Sequence, residues 1–259
     1  FQRHGQCGME LSEWLPHLGS CADDLCLVRS MHTDAFNHHP GQLLLFTGSV
    51  LFGRPTMGAW VLYGLGSESE DLPGFVVLAS GKGTSGGVSN FASGFLPSHY
   101  QGTLFRDSGD PILYLSNPPG FSRDSQRAAL DLLRDLNERH YTSTGDLEVA
   151  SRIASYELAF RMQTSAPDLL DFSKEPASIR EMYGLDDGDA ENRQFAAICL
   201  LARRMIERGV RFILMMDASW DDHTELNKKL PKRCAKIDRP TAALIQDLKQ
   251  RGLLDETLL

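Results

Sequence analysis

Two stretches of the chain gather titratable side chains where an apolar run ends. "MHTDAFNHHPGQLLLFTGS" (residues 31–49) places His32, Asp34, His38 and His39 ahead of an apolar, helix-like segment. "MMDASWDDHTELN" (residues 215–227) leaves the best strand candidate in the chain and at once supplies Asp217, Asp221, Asp222 and His223. Imidazoles near neutral pH serve as general acids, bases, metal ligands or anion contacts. Imidazole combined with carboxylate suits zinc or manganese before calcium, which prefers all-oxygen sites. In an extended segment Asp221 and His223 share one face, which makes them the candidate metal ligands and sends Asp222 to solvent on the other. The competing readings are plainer: a solvated loop in which Asn37 or Asp34 merely caps the next helix, and a surface turn with a local aspartate cap.

The elements that would position these groups alternate between strand and helix. Leu25–Val28 reads as a buried strand, and Pro40 or Gly41 as the start of a helix that Gly48 stops. "GFVVLAS" (residues 74–80) and "VRFILMM" (residues 210–216) are further strands, the second of the kind buried on both faces. Helices are expected over 8–20, interrupted by Pro16, and over 124–139 with Asp124 as N-cap. Others follow over 146–163, 191–208 and 239–251, the last opened by Pro240. Residues 81–120, rich in Gly, Ser and Pro, read as a long ordered excursion over the surface. The pattern predicts one α/β domain over 1–259, a mostly parallel sheet flanked by helices. Loops after parallel strands meet at one edge of such a sheet, so His38 and Asp221 are expected on the same side.

With 42% apolar residues in 259, a sizeable core is within reach, and no run is long enough to span a membrane. A net charge of −8 without a basic block argues against nucleic acid as the partner. Five cysteines, none in a CxxC pair, argue against a disulfide framework or a Cys-rich zinc site, and Cys26 and Cys199 read as core residues. "GKGTSG" (residues 81–86) formally matches the dinucleotide fingerprint GxGxxG. The glycine- and proline-bearing stretch behind it has no helical period, so no helix N-terminus would meet a pyrophosphate.

"SMHTDAFNHHPGQLLLFTGS", "FGRPTMGAW", "DLPGFVVLASG", "GDPILYLSNPPG", "IASYELAFRMQTSAP" and "LLARRMIERGVRF" followed by "WDDH" together resemble the bacterial sulfatase-like family named domain of unknown function 1501, within the alkaline phosphatase superfamily. The resemblance runs over nearly the whole chain. It implies an alkaline-phosphatase-like doubly wound fold in which one or two divalent metals activate a nucleophile against a phosphate or sulfate ester. Sulfatases carry a modified Cys or Ser in a C-x-P-S-R motif; the matching position here is His38, with Pro40 retained and Gln42 in the arginine's place. On this resemblance His38, Asn37 and His32 are the catalytic candidates, His39 and Arg54 the anion contacts, and Asp221 and His223 the metal ligands. A small-molecule or glycan ester is the implied substrate. A noncatalytic relative that binds anionic glycans or a cell-surface partner is the alternative. The resemblance also makes the chain an internal piece of a longer enzyme, truncated at both ends. A helix, Gly252, a short turn and then apolar residues read as an αβ connection, with Leu254–Leu259 opening a strand beside residues 210–216. Full-length relatives often carry a twin-arginine signal, which implies a periplasmic or exported protein.

Overall fold

The computed structural model of the chain describes residues 1–80, 85–106, 112, 115–218 and 220–259. In place of the helix expected from residue 8, strand β1 (Gln2–His4) pairs antiparallel with β2 (Met9–Leu11). Gly5 and Gly8 both take φ +66°, a left-handed conformation open to glycine, and so close the turn. Asp23 fixes that turn by accepting from the Gln6 and Cys7 amides at 2.9 and 2.8 Å. Helix is confined to α1 (Pro16–Gly19).

Leu25–Val28 is not a strand. Leu27 and Val28 are 50% and 56% exposed, and Cys26 is exposed as well, so it is not a core residue. An apolar run becomes a strand only where a neighbour takes up its backbone groups, and none of the sheets among the described residues includes it. Cys199, by contrast, is fully buried, which pushes its thiol pKa up. Helix α2 (His38–Thr47) begins ahead of Pro40, which is tolerated in a first turn whose amides have no intrahelical partner. It stops at Gly48, φ +71°. Helix α3 (Met57–Leu65) then lies against the sheet.

That sheet has three parallel strands: β3 (Phe75–Ser80) in the centre, flanked by β4 (Thr103–Phe105) and β5 (Phe212–Asp217). Its alternating side chains feed two cores. Val76 and Leu78 of β3, with Ile213 and Met215 of β5, pack on Met162, Leu169, Ile198, Leu201 and Met205. Phe75 and Val77, with Phe212, Leu214 and Met216, pack on Leu62 and Phe91. Gly58 permits the close approach of α3: a Cβ there would stand 2.6 Å from the Phe75 ring and 2.8 Å from that of Phe212. β3 is therefore the strand buried on both faces. β5, expected in that role, lies at the edge and is largely half-buried.

The excursion over 81–120 is less superficial than its composition implies. β4 runs through it and Phe105 is buried in the core, while Gly81–Thr84 of the glycine motif lie outside the described residues. Past them, Gly87–Phe91 is a short 3-10 turn and not the α-helix that a dinucleotide site needs.

Helices α4 (Arg123–Thr144) and α5 (Leu147–Leu170) form a hairpin. Ser122, not Asp124, caps α4, accepting from Ser125 N at 3.1 Å. The α4 stripe faces water more than core, with Leu132 and Leu136 both exposed. Then come α6 (Ala177–Tyr183), α7 (Ala190–Ile206) and α8 (Leu226–Gln250). Pro240 does not open a helix; both it and Pro231 lie inside α8, which starts thirteen residues earlier than expected. Leu254–Glu256 forms a 3-10 turn and Leu258 is fully exposed, so no strand forms there. The turn closes its own backbone, Thr257 N donating to Leu254 O, while Leu253 and Leu254 pack against the core between α6, α7 and α8.

In outline this is an α/β architecture: among the described residues it has eight α-helices and a three-stranded parallel sheet and is about 55% helical. Among the described residues no helix is long and apolar enough to cross a membrane.

Candidate functional site

Ser80 and Asp217 end neighbouring parallel strands opposite each other, and the loop that leaves Asp217 meets the first turn of α2. There Asp221 joins two imidazoles. His38 Nε2 lies 3.0 Å from one carboxylate oxygen and His223 Nε2 2.7 Å from the other. Because a carboxylate only accepts, both Nε2 atoms carry the proton in this arrangement. The Asp221 carboxyl is held below the usual range, first by the His223 hydrogen bond and also by His38. The cluster is open: the His38 and Asp221 side chains are 59% and 51% exposed.

The remaining expected residues are placed differently. Asn37 is the N-cap of α2, its Oδ1 accepting from His39 N at 3.4 Å, which positions His38 at the start of the helix. The His39 ring is engaged elsewhere, its Nε2 3.2 Å from Ser89 Oγ and its ring in edge contact with Phe52. His32 lies in the exposed loop, 3.5 Å from Ser30 O. Arg54 is exposed, and among the described residues no hydrogen bond or ion pair ties it to the cluster. Gln42 gathers the following turn: its Oε1 accepts from Gly86 N at 2.8 Å and Asn90 Nδ2 at 3.1 Å.

Asp222 does not face solvent. Its side chain is 9% exposed and takes a bidentate pair from Arg233, with Lys229 at 3.6 Å. Arg233 in turn holds the Asp222 carboxyl below its ordinary range. Asp217 is similarly occupied, accepting from Lys236 Nζ at 2.6 Å, from Trp220 Nε1 at 2.9 Å and from Ser80 Oγ. Lys229, Arg233 and Lys236 had a signal in the sequence, basic residues spaced four and three apart, but only once α8 is extended back over them.

Two imidazole nitrogens and one carboxylate form a donor set suited to a divalent zinc or manganese ion. Among the described residues no group of three or more His, Cys, Asp or Glu side chains is gathered to hold a metal. The trio is strung along Asp221, one ring on each oxygen, and all three side chains are exposed enough to rotate. In donor chemistry they fit such an ion, and a ring that ligates it through Nε2 must give up the proton on that nitrogen.

These features define an α/β protein with an imidazole–carboxylate cluster on the carboxyl edge of a parallel sheet, where such folds place their ligands. The chain belongs to the family described as protein of unknown function (DUF1501), whose model matches residues 1–259. No curated protein and no solved structure matches it. Neither the family match nor the fold links it to sulfatases or to the alkaline phosphatase superfamily.

Proposed function

We propose that the protein is a metal-dependent hydrolase of phosphate or sulfate esters, sulfatase-like and of the alkaline phosphatase superfamily, acting at the His38–Asp221–His223 cluster. The observation that carries this reading is the meeting of those three side chains. Residues from two distant parts of the chain converge at the carboxyl edge of the sheet, open to solvent, with Asp221 shared between two rings. A bound zinc or manganese ion would supply Lewis-acid polarisation of the ester and charge neutralisation. Asp221 and His223 are the ligands, and Asp221 orients the His38 ring. The His38 imidazole, at the N-terminus of α2 and exposed, is placed to exchange a proton with an incoming ester or its leaving group. His39 and Arg54 lie outside the bonded cluster and have at most a peripheral part in binding the anion. An exported location accompanies this reading.

Zinc and manganese titrations of the purified protein, followed by turnover of 4-nitrophenyl phosphate and 4-nitrophenyl sulfate, test it. Stoichiometric metal binding, turnover abolished by chelation, and loss of both in Asp221→Asn are the expected results. A protein that retains no metal above the Asp221→Asn level refutes the reading. Glycan binding without turnover would favour the noncatalytic alternative.

A further inference from the structure

The loop that carries Asp221 is gripped from one side. Lys229, Arg233 and Lys236 fall on one stripe of α8 and engage the two carboxylates that bracket Asp221: Arg233 and Lys229 take Asp222, and Lys236 takes Asp217. Both carboxylates are nearly buried, as is Lys236. Trp220 folds back onto Asp217 within the same loop. The loop ends at Glu225, φ 53°, the one non-glycine residue with positive φ among those described. A conformation so rarely taken by a residue with a side chain persists only where its surroundings over-determine it. Beside it, Lys228 Nζ donates to Glu225 Oε1 at 2.8 Å, and the Lys228 and Lys229 amides donate to Glu225 O.

We propose that the Lys229–Arg233–Lys236 stripe of α8 is the positioning device of the site. It occupies Asp217 and Asp222 and thereby leaves Asp221 as the single carboxylate of the loop available to His38 and His223. This rests on the functional reading above for its metal, but not for its geometry. Three acidic side chains sit within six positions, and only Asp221 lacks a basic partner from α8; its partners are imidazoles. An arginine released from Asp222 would have Asp221 as the adjacent carboxylate, so the stripe also keeps its own charge away from the cluster. Arg233 is a positioning residue in this scheme: it touches neither the imidazoles nor anything bound to them.

The eight histidines of the chain provide a readout independent of activity. Their side-chain resonances are recorded by NMR in the metal-free protein for the parent, Asp221→Asn, Arg233→Gln and Arg233→Lys. Since Lys236→Met alone would strand a buried carboxylate and could fail to fold, it is paired with Asp217→Asn in one double variant. Arg233→Gln should move the His38 and His223 signals toward their Asp221→Asn positions and leave those of His17, His99 and His140 in place. Arg233→Lys should fall between, and the double variant should follow Arg233→Gln. Zinc affinity should drop by about 10–100-fold, the usual consequence of losing an outer-shell partner. Asp222→Asn should lower it too, although Asp222 is no ligand. Unchanged His38 and His223 signals in Arg233→Gln overturn the proposal, and so does a uniform movement of all eight, which would mark general loosening. If those signals move as expected while the parent binds zinc no better than Asp221→Asn, the positioning role stands and the metal reading falls.

Discussion

Carboxylates and cations meet at two places in this molecule with opposite outcomes. Between α6, α7 and α8, Arg203 reaches Glu175 at 2.7 Å, Glu207 at 2.6 Å and Asp247 at 3.0 Å. Arg251 and the Tyr183 hydroxyl, at 2.7 and 3.1 Å, complete the shell of Asp247. Arg203 and Asp247 are 3% and 1% exposed. Burial accordingly pushes the Tyr183 phenol pKa up, with Asp247 beside it adding to the rise. At the sheet edge, Asp221 has only two exposed imidazoles. The first network has little capacity left to exchange partners, and in the second every member can. Burial with several partners makes a structural lock, and a sparse cluster in the open makes a candidate site.

The sharpest way to break that contrast is to damage the lock. Arg203→Ala leaves Asp247 and Glu175 without their central cation, and removing one partner of a buried pair costs about 3–5 kcal/mol. A urea titration should show that loss, while zinc affinity per folded molecule stays at the parent value. A small change in midpoint would mean that the network is less interdependent than its geometry implies.

The converse damage is to the cluster. Asp221→Asn or His38→Ala should reduce ester turnover by at least ~10²-fold. The stability change should stay within about 1 kcal/mol, because exposed pairs contribute little. Initial rates and urea midpoints on the same samples separate the two effects. Full activity in His38→Ala would reduce that residue to the first residue of α2. Tyr183→Phe is a milder probe of the lock: it deletes one hydrogen bond to a buried carboxylate and should cost about 1–3 kcal/mol.

What could be read beforehand follows the range of the interactions involved. Phe75–Ser80, Phe212–Asp217, α5 and α7 announce themselves through local apolar periodicity, which their cores then use on matching faces. Leu25–Val28 has the same local signal but no strand beside it, and a strand is a pairwise object. β4, three residues long, is too short to carry a pattern. The start of α8 is hidden because Pro240 suits either a first turn or a buried interior position, and the ion pairs of Lys229, Arg233 and Lys236 are tertiary. The site divides in the same way. Alternation along the loop places Asp221 beside His223, whereas the destination of Asp222 depends on Arg233, in a part of α8 that the sequence pattern does not reveal.

A pH titration of the α4–α5 hairpin gives the smallest and most local effect. Glu157 accepts both terminal nitrogens of Arg127, at 2.6 and 2.8 Å, and that hydrogen bonding, ahead of any other influence, keeps its carboxyl below the ordinary range. The pair is part-exposed, so its contribution is screened and modest. The sign follows from linkage: a folded-state pKa below the unfolded one favours the folded chain wherever the carboxyl is ionised. The stabilisation is therefore complete above the unfolded glutamate value of ~4.3. It fades as pH falls through the lower folded value. Urea midpoints of the parent and of Glu157→Gln should differ at pH 6 and converge as the solution is acidified below that window. The cluster at Asp221, which shares no hydrogen bond or ion pair with Arg127 or Glu157 among the described residues, should keep its histidine signals in Glu157→Gln. A midpoint difference that persists undiminished at the acid end would mean that Glu157 stabilises the hairpin through packing on Arg127 and not through its charge.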